Sequence, residues 1–479
     1  MKKVAVVVLA LALSMLILAS TFVVAVPVQA SSTTTFTVSP SGGDDTANIQ
    51  DAFDAAMSSG PGSAVQLTTG QFYTNGIFVE NFIGSFKGAG KDATKIDVLR
   101  GLDPNAPGVE STASGLFVFE GGDICVSDLT FDITPFAPSE DWILGGGPYQ
   151  DLIAIVYVTG STVNSAFERV AFKGHEGTFL EEWSTILGTS WNVRMGVYIS
   201  GSQDWAIDPV EAFSKPTTGV HTISDSSFEQ LAHGVYVWGL TNGELKVGGS
   251  ASVANTFVDC CIGVDNTDTV NSIAEISYNK ISRVRFYGVV IEQLSKPRAP
   301  SEPFEPIPSA SQWLITHNTI QAIIIADGVG LEDRSPLLGA GKTLNAVISA
   351  NTIILGDTYL GGIAAGSELS FGAQDVVVLN NRISGSGLSG IYMGVFGDVS
   401  AGWVLVGNDV QNVNVFVAPI WLGPGSSGCT VVGGSTKRNV LDEGINNRIV
   451  GVNNIKGNSP GPEIKKAMGL KRTIPNPPP

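Results

Sequence analysis

The stretch VVVLNNRISGSGLSGIYMGV, from Val376 to Val395, alternates between two kinds of segment. Its first half is apolar and β-branched, which is typical of a buried β-strand. Asn381 nevertheless stands inside that apolar run, and Gly390 and Ile391 start a second apolar run nine residues later. A polar amide is unfavourable inside a buried strand unless a regular structure provides its hydrogen bonds, so the question is whether the pattern recurs.

The pattern recurs along the chain with asparagine in the fourth place of an apolar hexamer. The copies are SVANTF (252–257), ISYNKI (276–281), ITHNTI (315–320), ISANTI (348–353), VLNNRI (378–383) and LVGNDV (405–410). Weaker copies precede them, namely VSDLTF (126–131), FERVAF (167–172) and ISDSSF (223–228). The shortest spacing between starts is 24 residues, about the length of one coil of three short strands and three turns.

Most copies are followed by glycine and an apolar residue, which indicates a second strand in each coil. No amphipathic segment of helical length separates the two strands. Because a strand cannot satisfy its own backbone, each coil must pair with the coils above and below it. The sequence therefore predicts a parallel β-helix in which the asparagines stack about 4.8 Å apart as a hydrogen-bonded ladder.

This I-x-x-N-x-I … G-I repeat resembles the coil repeat of the pectate-lyase-like family of right-handed parallel β-helix proteins. The resemblance covers residues 40–455. It implies an all-β, single-stranded right-handed parallel β-helix (a solenoid) of roughly 10–12 coils with an N-terminal capping helix. The family includes lyases, hydrolases, epimerases, phage tailspikes and non-enzymes, so the repeat predicts a fold rather than an activity.

Both ends of the chain have a distinct character. Residues 1–30 combine two lysines with a long apolar run and a small-residue cleavage pattern, which predicts a secretory signal or, if it is not cleaved, a membrane anchor. Residues 31–455 are predicted to form the β-helix, and an apolar face within 45–57 predicts its capping helix. Residues 456–479 are predicted to form a C-terminal cap and a flexible proline-rich tail.

The charge composition of the chain limits the classes of partner that it can bind. The net charge is −17, from 27 Lys and Arg against 44 Asp and Glu; without the two lysines of residues 1–30, 25 basic residues remain against 44 acidic ones, a net charge of −19. Nucleic acid is therefore an unfavourable partner. An acidic polysaccharide is repelled too, unless a basic pocket or a bridging cation such as Ca²⁺ intervenes. The four cysteines have no metal-type spacing and are interpreted as small buried hydrophobes, with a bridge between coils as the alternative.

The coils carry long insertions at 133–150, 182–220, 293–312 and 333–345. Long loops on a rigid scaffold commonly carry function. The first two insertions are rich in aromatic and acidic residues, Trp183 among them, which suits stacking on sugar rings and hydrogen bonding to hydroxyl groups. Simple packing of these aromatic side chains onto the β-helix is the alternative interpretation.

The alternation of side chains along a strand predicts which of them point out of the coil. If the residue after each glycine points inward, its neighbour points outward. This exposes Tyr236, Trp238, Asp265 and Glu292, with Glu181 one coil earlier, on one sheet face. Asp265 and Glu292 are expected one coil and two residues apart, on the order of 8 Å, which suits an inverting glycosidase pair or a Ca²⁺ site.

Basic side chains close in sequence to Asp265 and Glu292 suggest lyase chemistry as an alternative to hydrolysis. A polysaccharide lyase needs a base and neutralisation of the uronate carboxylate. Arg285 is the candidate for that role, and His233 is a candidate for substrate binding. The segment Asn266-Thr267-Asp268 is similar to the Asn-Thr-Asp motif of polygalacturonases. The other motifs of those enzymes are missing, which leaves that mechanism in doubt.

Two hypotheses follow. The first is a secreted or cell-envelope protein that binds a polysaccharide at Glu181, Trp183, His233, Tyr236 and Trp238. In that hypothesis, if it cleaves the polysaccharide, Asp265, Glu292 and Arg285 carry the lyase or hydrolase chemistry. The second is a non-catalytic β-helix that serves as a rigid spacer or adhesin at the cell surface. The absence of a complete catalytic motif favours the second, and the outward face of acids and aromatics favours the first.

Overall fold

The computed structural model describes residues 34–98, 115–133, 154–174, 195–201, 216–293, 311–323, 327–333, 345–356, 360–365, 373–395 and 399–454. Glu181, Trp183 and most of the four predicted insertions lie outside these residues, as do residues 1–33 and 455–479. Within the described ranges, no helix has the length and apolar character needed to cross a membrane.

The described chain consists of one helix and many short strands. Helix α1 is Thr46–Ser59. The strands of the first half are β1 Thr35–Val38, β2 Ser63–Leu67, β3 Gly70–Thr74, β4 Ile77–Glu80, β5 Ile83–Lys87, β6 Thr94–Val98, β7 Gly115–Asp132, β8 Ala154–Lys173, β9 Met195–Ser200, β10 Val220–Ser224, β11 Ser227–Glu229, β12 His233–Trp238, β13 Glu244–Gly248, β14 Thr256–Val258, β15 Ile262–Thr267, β16 Ile273–Ser277, β17 Lys280–Val284 and β18 Tyr287–Gln293.

The second half continues the series of parallel strands. They are β19 Gln312–Thr316, β20 Thr319–Ile323, β21 Asp327–Asp333, β22 Ala346–Ser349, β23 Thr352–Gly356, β24 Gly361–Ala365, β25 Val377–Leu379, β26 Arg382–Met393, β27 Ser400–Ala401, β28 Val404–Val406, β29 Asp409–Leu422, β30 Ser426–Ser427, β31 Thr430–Val432, β32 Ser435–Thr436, β33 Leu441–Asp442, β34 Arg448–Val450 and β35 Asn453–Asn454.

Every pairing between these strands is parallel, and a strand pairs with the equivalent strand of the next coil rather than with its neighbour in sequence. For example, β12 pairs with β15, and β15 pairs with β18. The right-handed parallel β-helix with an N-terminal helix, predicted from the sequence, is confirmed. The coil has three faces, which we call sheets 1, 2 and 3.

Sheet 1 positions the site discussed below. It runs through β4, the first parts of β7 and β8, then β9, β12, β15, β18, β21 and β24, the last parts of β26 and β29, and β33. With one segment per coil, the described residues give twelve coils, at the upper end of the predicted range. Sheet 2 contains β10, β13, β16 and β19, and sheet 3 contains β11, β14, β17 and β20.

The core is the interior of the coil, filled by stacked columns of apolar side chains. One column on sheet 3 contains Phe131, Phe172, Phe228 and Phe257, whose neighbouring rings lie 5.4, 4.9 and 4.7 Å apart between centroids. Because each coil repeats the same inward positions, one continuous core forms without a second layer.

The asparagines of the repeat form a continuous chain of hydrogen bonds through the interior corner of six coils. The side-chain Nδ2 donors of Asn279, Asn318, Asn351 and Asn381 each reach the Oδ1 of the next asparagine, at 2.9–3.0 Å. Asn255 makes the same bond to Asn279 at 3.1 Å. The backbone N–H of Asn351 also donates to Asn381 Oδ1, so no polar group of this corner loses a partner when it leaves water.

Steric crowding explains why a glycine follows the hexamer. A Cβ atom on Gly288 would lie 2.4 Å from Ile320 Cγ2 and 2.5 Å from the carbonyl oxygen of Gly328. Sheet 1 therefore approaches the inward side chains of sheet 3 too closely for any larger residue at this position. This contact sets where sheet 1 begins in each coil.

Helix α1 covers the N-terminal end of the core. It buries Ile49, Ala52, Phe53 and Ala56, and the ring of Phe53 lies 5.3 Å from that of Phe82. The carboxylate of Asp45, at the start of the helix, accepts hydrogen bonds from the backbone N–H groups of Ser41 and Tyr73. The Gly42-Gly43-Asp44-Asp45 segment thus acts as a cap for the end of the solenoid.

The four cysteines are unpaired. Cys260 and Cys261 are buried, and burial raises the pKa of Cys260 to about 12. Both are small buried hydrophobes, as the sequence predicts, rather than a bridge between coils.

Candidate functional site on sheet 1

The outer face of sheet 1 carries a column of side chains that changes from aromatic to acidic. Tyr157, Tyr198, Tyr236 and Asp265 occupy equivalent positions in four consecutive coils, and Val290 follows them. The rings of Tyr157 and Tyr198 stack at 4.8 Å, and those of Tyr198 and Tyr236 at 5.4 Å. We call these three residues the tyrosine column. Asp265 lies directly beyond its end.

The alternation that the sequence predicts is confirmed for these strands. Val235, Val264 and Val289 belong to the interior core, whereas Tyr236 and Trp238 belong to a separate cluster on the outside. The expected exposure is wrong, however. Tyr236 is 7%, Trp238 5%, Asp265 3% and Glu292 8% exposed. The tyrosine column and its neighbours form a packed layer on the outside of the sheet, so an outward direction does not mean contact with bulk water.

Asp265 has a polar contact on each carboxylate oxygen. Thr267 Oγ1 donates a hydrogen bond to Oδ1 at 2.9 Å. His233 Nδ1 lies 3.3 Å from Oδ2, a close approach without the alignment of a hydrogen bond. His233 belongs to the preceding coil, where its ring lies 4.9 Å from that of Tyr236. Two coils therefore converge on one carboxylate.

Tyr236 interacts with Asp265 through its charge and through the shared hydrogen-bond partner Thr267. Burial raises the pKa of its phenol well above the ordinary value, and the negative charges of Asp265 and Glu292 raise this pKa further. A side-chain hydrogen bond with Thr267 opposes the increase. The phenol consequently stays protonated at neutral pH, and Thr267 connects it to Asp265.

Glu292 lies one coil beyond Asp265. Glu292 is the register partner of Thr267, and Asp265 is the partner of Val290, so the two acids are one coil and two residues apart, as predicted. The sheet spacings put their Cα atoms on the order of 8 Å apart.

Arg285 does not join this group. It lies in the turn before β18, two residues ahead of Tyr287, which pairs with Ile262 at the opposite end of the strand from Asp265 and Glu292. Its backbone N–H donates to the carbonyl oxygen of Cys261, and burial lowers the pKa of its guanidinium. Asp259, Cys261 and Arg283 are the neighbours that act electrostatically on it. The catalytic role of Arg285 beside Asp265 and Glu292 stays a prediction, and the strand register places Arg285 at the other end of β18 from Glu292.

The position one coil before Tyr236 on sheet 1 belongs to Tyr198. The strand that pairs with β12 on that side is β9, in which Tyr198 is the partner of Tyr236 and Ser200 the partner of Trp238. The prediction took GTFLEEW as that strand because it begins with glycine, whereas MGVYIS fills the position. Glu181 and Trp183 themselves lie outside the described residues.

The Asn266-Thr267-Asp268 segment does not present the acid of a polygalacturonase-like motif on the sheet. Asn266 points into the coil, where its Oδ1 accepts hydrogen bonds from Trp313 Nε1 at 2.7 Å and Thr269 Oγ1 at 2.9 Å. Asp268 lies at the corner after the strand, with φ 52° and 1% exposure. Only the middle residue, Thr267, contributes to the outer face.

Metal-binding potential is limited in the part of the chain that the structure describes. No group of three or more His, Cys, Asp and Glu side chains gathers there in a geometry that could hold a metal ion. The predicted Ca²⁺ site at Asp265 and Glu292 therefore lacks a third acidic ligand among these residues.

Sequence reasoning did not single out Tyr157 or Tyr198, and it named Thr267 only as part of the Asn266-Thr267-Asp268 segment. A signal was present for the tyrosines, because IVYVTG (155–160), GVYISG (196–201) and GVYVWG (234–239) repeat one pattern. Thr267 had no comparable signal, since its importance depends on a hydrogen bond between coils.

Comparisons with known proteins do not identify an activity. No protein-family model and no curated protein sequence matches the chain. Among solved structures, the chain is similar to the periplasmic alginate epimerase AlgG, with 13% identity, 80% of this chain and 77% of the other covered, and a TM-score of 0.47. It is also similar to PfbA, a surface adhesin of Streptococcus pneumoniae, with 14% identity, coverages of 87% and 90%, and a TM-score of 0.47. A third similar structure is DFA-IIIase from Arthrobacter chlorophenolicus A6, with 9% identity, coverages of 80% and 91%, and a TM-score of 0.47. Identities and TM-scores of this size are too low to transfer a function.

Proposed function

We propose that the protein is a carbohydrate-active β-helix of the cell envelope or extracellular space, which binds a polysaccharide on the outer face of sheet 1 and hydrolyses it. The observation that carries this proposal is the convergence of His233, Tyr236, Thr267 and Glu292 around Asp265 on three consecutive coils. The N-terminal signal pattern supports the location.

The chemistry that this geometry supports best is inverting hydrolysis, because Asp265 and Glu292 lie on adjacent coils with Cα atoms on the order of 8 Å apart, a spacing compatible with two carboxyl groups that flank a water molecule. Asp265 accepts a proton from that water as the water oxygen bonds to the anomeric carbon. The bond from this carbon to the glycosidic oxygen breaks, and Glu292 donates a proton to the leaving oxygen. Tyr236 remains a hydrogen-bond donor throughout, and Thr267 and His233 orient the Asp265 carboxylate.

The second candidate function is a non-catalytic surface protein, and one observation favours it. The side chains of the proposed site are nearly buried, and three of the surrounding residues are a stacked aromatic column. A packed layer of this kind also stabilises a rod that only needs to be stiff. A polysaccharide lyase is less well supported, because Arg285 is remote from the two acids.

The experiment that separates these functions uses Asp265→Asn and Glu292→Gln, alone and together, in the full-length protein. Release of reducing ends from a broad glycan panel is measured alongside absorbance of unsaturated uronates. We expect wild-type hydrolysis that falls at least a hundredfold in each single variant. Glu120→Gln, an acid on the same outer face of sheet 1 several coils away, is the matched control and should retain activity.

Turnover that survives the double substitution would contradict the assignment of the two acids. Absence of any product, combined with glycan binding that persists in the double variant, would favour the non-catalytic function. Detection of unsaturated products would show that the protein is a lyase and not a hydrolase.

A further inference from the structure

The outer face of sheet 2 changes from charged to aliphatic towards the C-terminal end of the solenoid. In the middle coils, Lys246 Nζ lies 3.6 Å from Glu275 Oε2 across neighbouring strands. Beyond β19, the strands that continue sheet 2 are β22, β25, β28, β31 and β34. Their outward positions include two adjacent columns of valines, which we call the valine patch: Val347, Val377 and Val404 in one column, and Val406, Val432 and Val450 in the other.

The C-terminal part of the valine patch is open to solvent. Val404 is 36%, Val432 37% and Val450 40% exposed. The residues that alternate with them, Leu405 and Val431, point inward and belong to the core. The outward valines therefore add nothing to the interior of the coil. Because apolar side chains gain free energy when they leave water, a contiguous row of them favours a covering partner.

The size of the valine patch favours a partner from the same chain. Each outward side chain occupies about 4.8 Å by 6.6 Å of a sheet, so six of them cover roughly 200 Å². A stable interface between two proteins buries about 800 Å² on each partner. A tethered segment needs less contact area, because its connection to the sheet holds it at a high effective concentration.

Residues 455–479 continue the chain from a point beside the valine patch. Asn454, the last described residue, follows Val450 by four positions. The valine patch spans four strand spacings, from β22 to β34, or roughly 19 Å. The ten residues from Asn454 to Ile464 can extend over roughly 33 Å. Ile464 and the residues after it can therefore reach every strand of the valine patch.

The composition of this segment suits the valine patch and the acidic body. Ile464, Ala467 and Met468 stand at positions i, i+3 and i+4, a spacing that places apolar side chains on one face of a helix. Residues 455–479 contain five Lys and Arg against one Glu, a net charge of +4. The rest of the chain has 22 basic and 43 acidic residues, a net charge of −21. Opposite charges thus attract the segment to the solenoid.

We propose that residues 463–474 dock on the valine patch, with Ile464 and Met468 against the valines and the basic side chains directed to solvent. The segment covers the aliphatic end of sheet 2 and gives the predicted C-terminal cap a definite position. This docking is independent of the hydrolysis proposed for sheet 1, since it involves a different face of the coil.

The test uses trypsin, which cleaves after the four basic residues between 465 and 472 when the segment is undocked. The full-length protein is treated briefly, and intact mass spectrometry measures the rate of cleavage at these sites. Val404→Gln combined with Val432→Gln removes apolar surface from the valine patch. We expect this variant to be cleaved about tenfold faster than the wild type or more, because cleavage follows the population of the open form.

Two further variants keep the result interpretable. Val220→Gln combined with Ile354→Gln is the matched control, since these aliphatic residues are 45% and 40% exposed and lie outside the valine patch. It should be cleaved at the wild-type rate. Ile464→Gln combined with Met468→Gln changes the segment and leaves the β-helix intact. It should be cleaved as fast as the variant of the valine patch, whether or not that variant folds well.

Three results would overturn the proposal. The first is an unchanged cleavage rate in both the patch variant and the segment variant. The second is faster cleavage in Ile445→Gln but not in the patch variant, which would place the segment on the end of the last coil, where Ile445 is 63% exposed. The third is a dimer, detected by light scattering, that the patch variant dissociates, which would make the valine patch an interface between two copies.

Discussion

His233 Nδ1 lies 3.3 Å from Asp265 Oδ2, although the two residues are 32 positions apart in sequence and on different coils. They meet because β12 and β15 pair in parallel register, with His233 three positions ahead of Tyr236 and Tyr236 beside Asp265. One coil therefore supplies an imidazole and a phenol to the carboxylate of the next. This contact between His233 and Asp265 depends on the stacking of one coil on the next.

Thr267 is expected to act as a positioning residue in this group. Thr267→Val removes the hydrogen bond to Asp265 Oδ1 and the one with Tyr236, while nearly conserving side-chain volume. We predict a roughly tenfold fall in turnover, about 1.4 kcal/mol in transition-state energy, with little change in KM. Thr267→Ser keeps the hydroxyl and should restore turnover; if it fails to do so, the hydrogen bonds are not the cause. Steady-state kinetics on a glycan that the wild-type protein hydrolyses provide the measurement.

The asparagine chain is predicted to contribute strongly to stability. Asn351→Ala deprives Asn318 of its acceptor and leaves the carbonyl of Ile315 without its donor, all in the buried corner. We expect the free energy of unfolding to fall by about 2–4 kcal/mol, since unsatisfied buried polar groups are costly. Chemical denaturation with circular dichroism measures the change. Asn414→Ala, at an exposed position of β29, should change it by less than about 0.5 kcal/mol; equal losses in both variants would argue against the role of the chain.

The close packing around Gly288 predicts that a larger residue at this position destabilises the fold. Gly288→Ala forces a Cβ to within 2.4 Å of Ile320 Cγ2, so the coil must expand or the side chain must shift. Overpacking of this kind destabilises by about 1–3 kcal/mol. Gly43→Ala has open space around the new Cβ and serves as the control, with an unchanged unfolding midpoint expected. A Gly288 variant as stable as the control would show that sheet 1 adjusts freely.

A buried histidine predicts how stability depends on pH. His221 lies inside the coil, where its Nδ1 is 2.9 Å from Ser165 Oγ, and burial lowers its pKa from 6.5 to about 4. Between these values the unfolded chain binds a proton and the folded chain does not. Stability is therefore fully present above pH 6.5 and falls as the pH decreases towards 4, by up to about 3 kcal/mol from this group.

His221→Gln removes the titrating group and should flatten this part of the stability profile. His317→Gln, at an exposed position in the turn after β19, should retain the wild-type slope. The measurement is the free energy of unfolding at intervals from pH 7 to pH 4. Identical slopes for the His221 variant and the wild type would show that other groups cause the acid sensitivity.

The sequence by itself determined the repeating architecture. A hexamer with one asparagine, followed by a glycine, recurs at intervals that suit only a coil, because each strand needs partners that its own coil cannot provide. The same repeat separates the inward residues Val235 and Val264 from the outward residues Tyr236 and Asp265, since strand alternation is a local property. The relative position of Asp265 and Glu292 followed from this regularity.

The tertiary structure alone decided which coils are neighbours and what covers the outer face. The sequence did not reveal which segment precedes β12 on sheet 1, because the length of an insertion does not show where the sheet resumes, and MGVYIS pairs with β12 where GTFLEEW was predicted. Arg285 was expected beside the acids because it is near them in sequence, yet a turn holds it at the other end of the strand. The burial of Tyr236 and Asp265 and the contacts of Asp265 with His233 and Thr267 depend on packing between coils, which no periodicity within a single strand records.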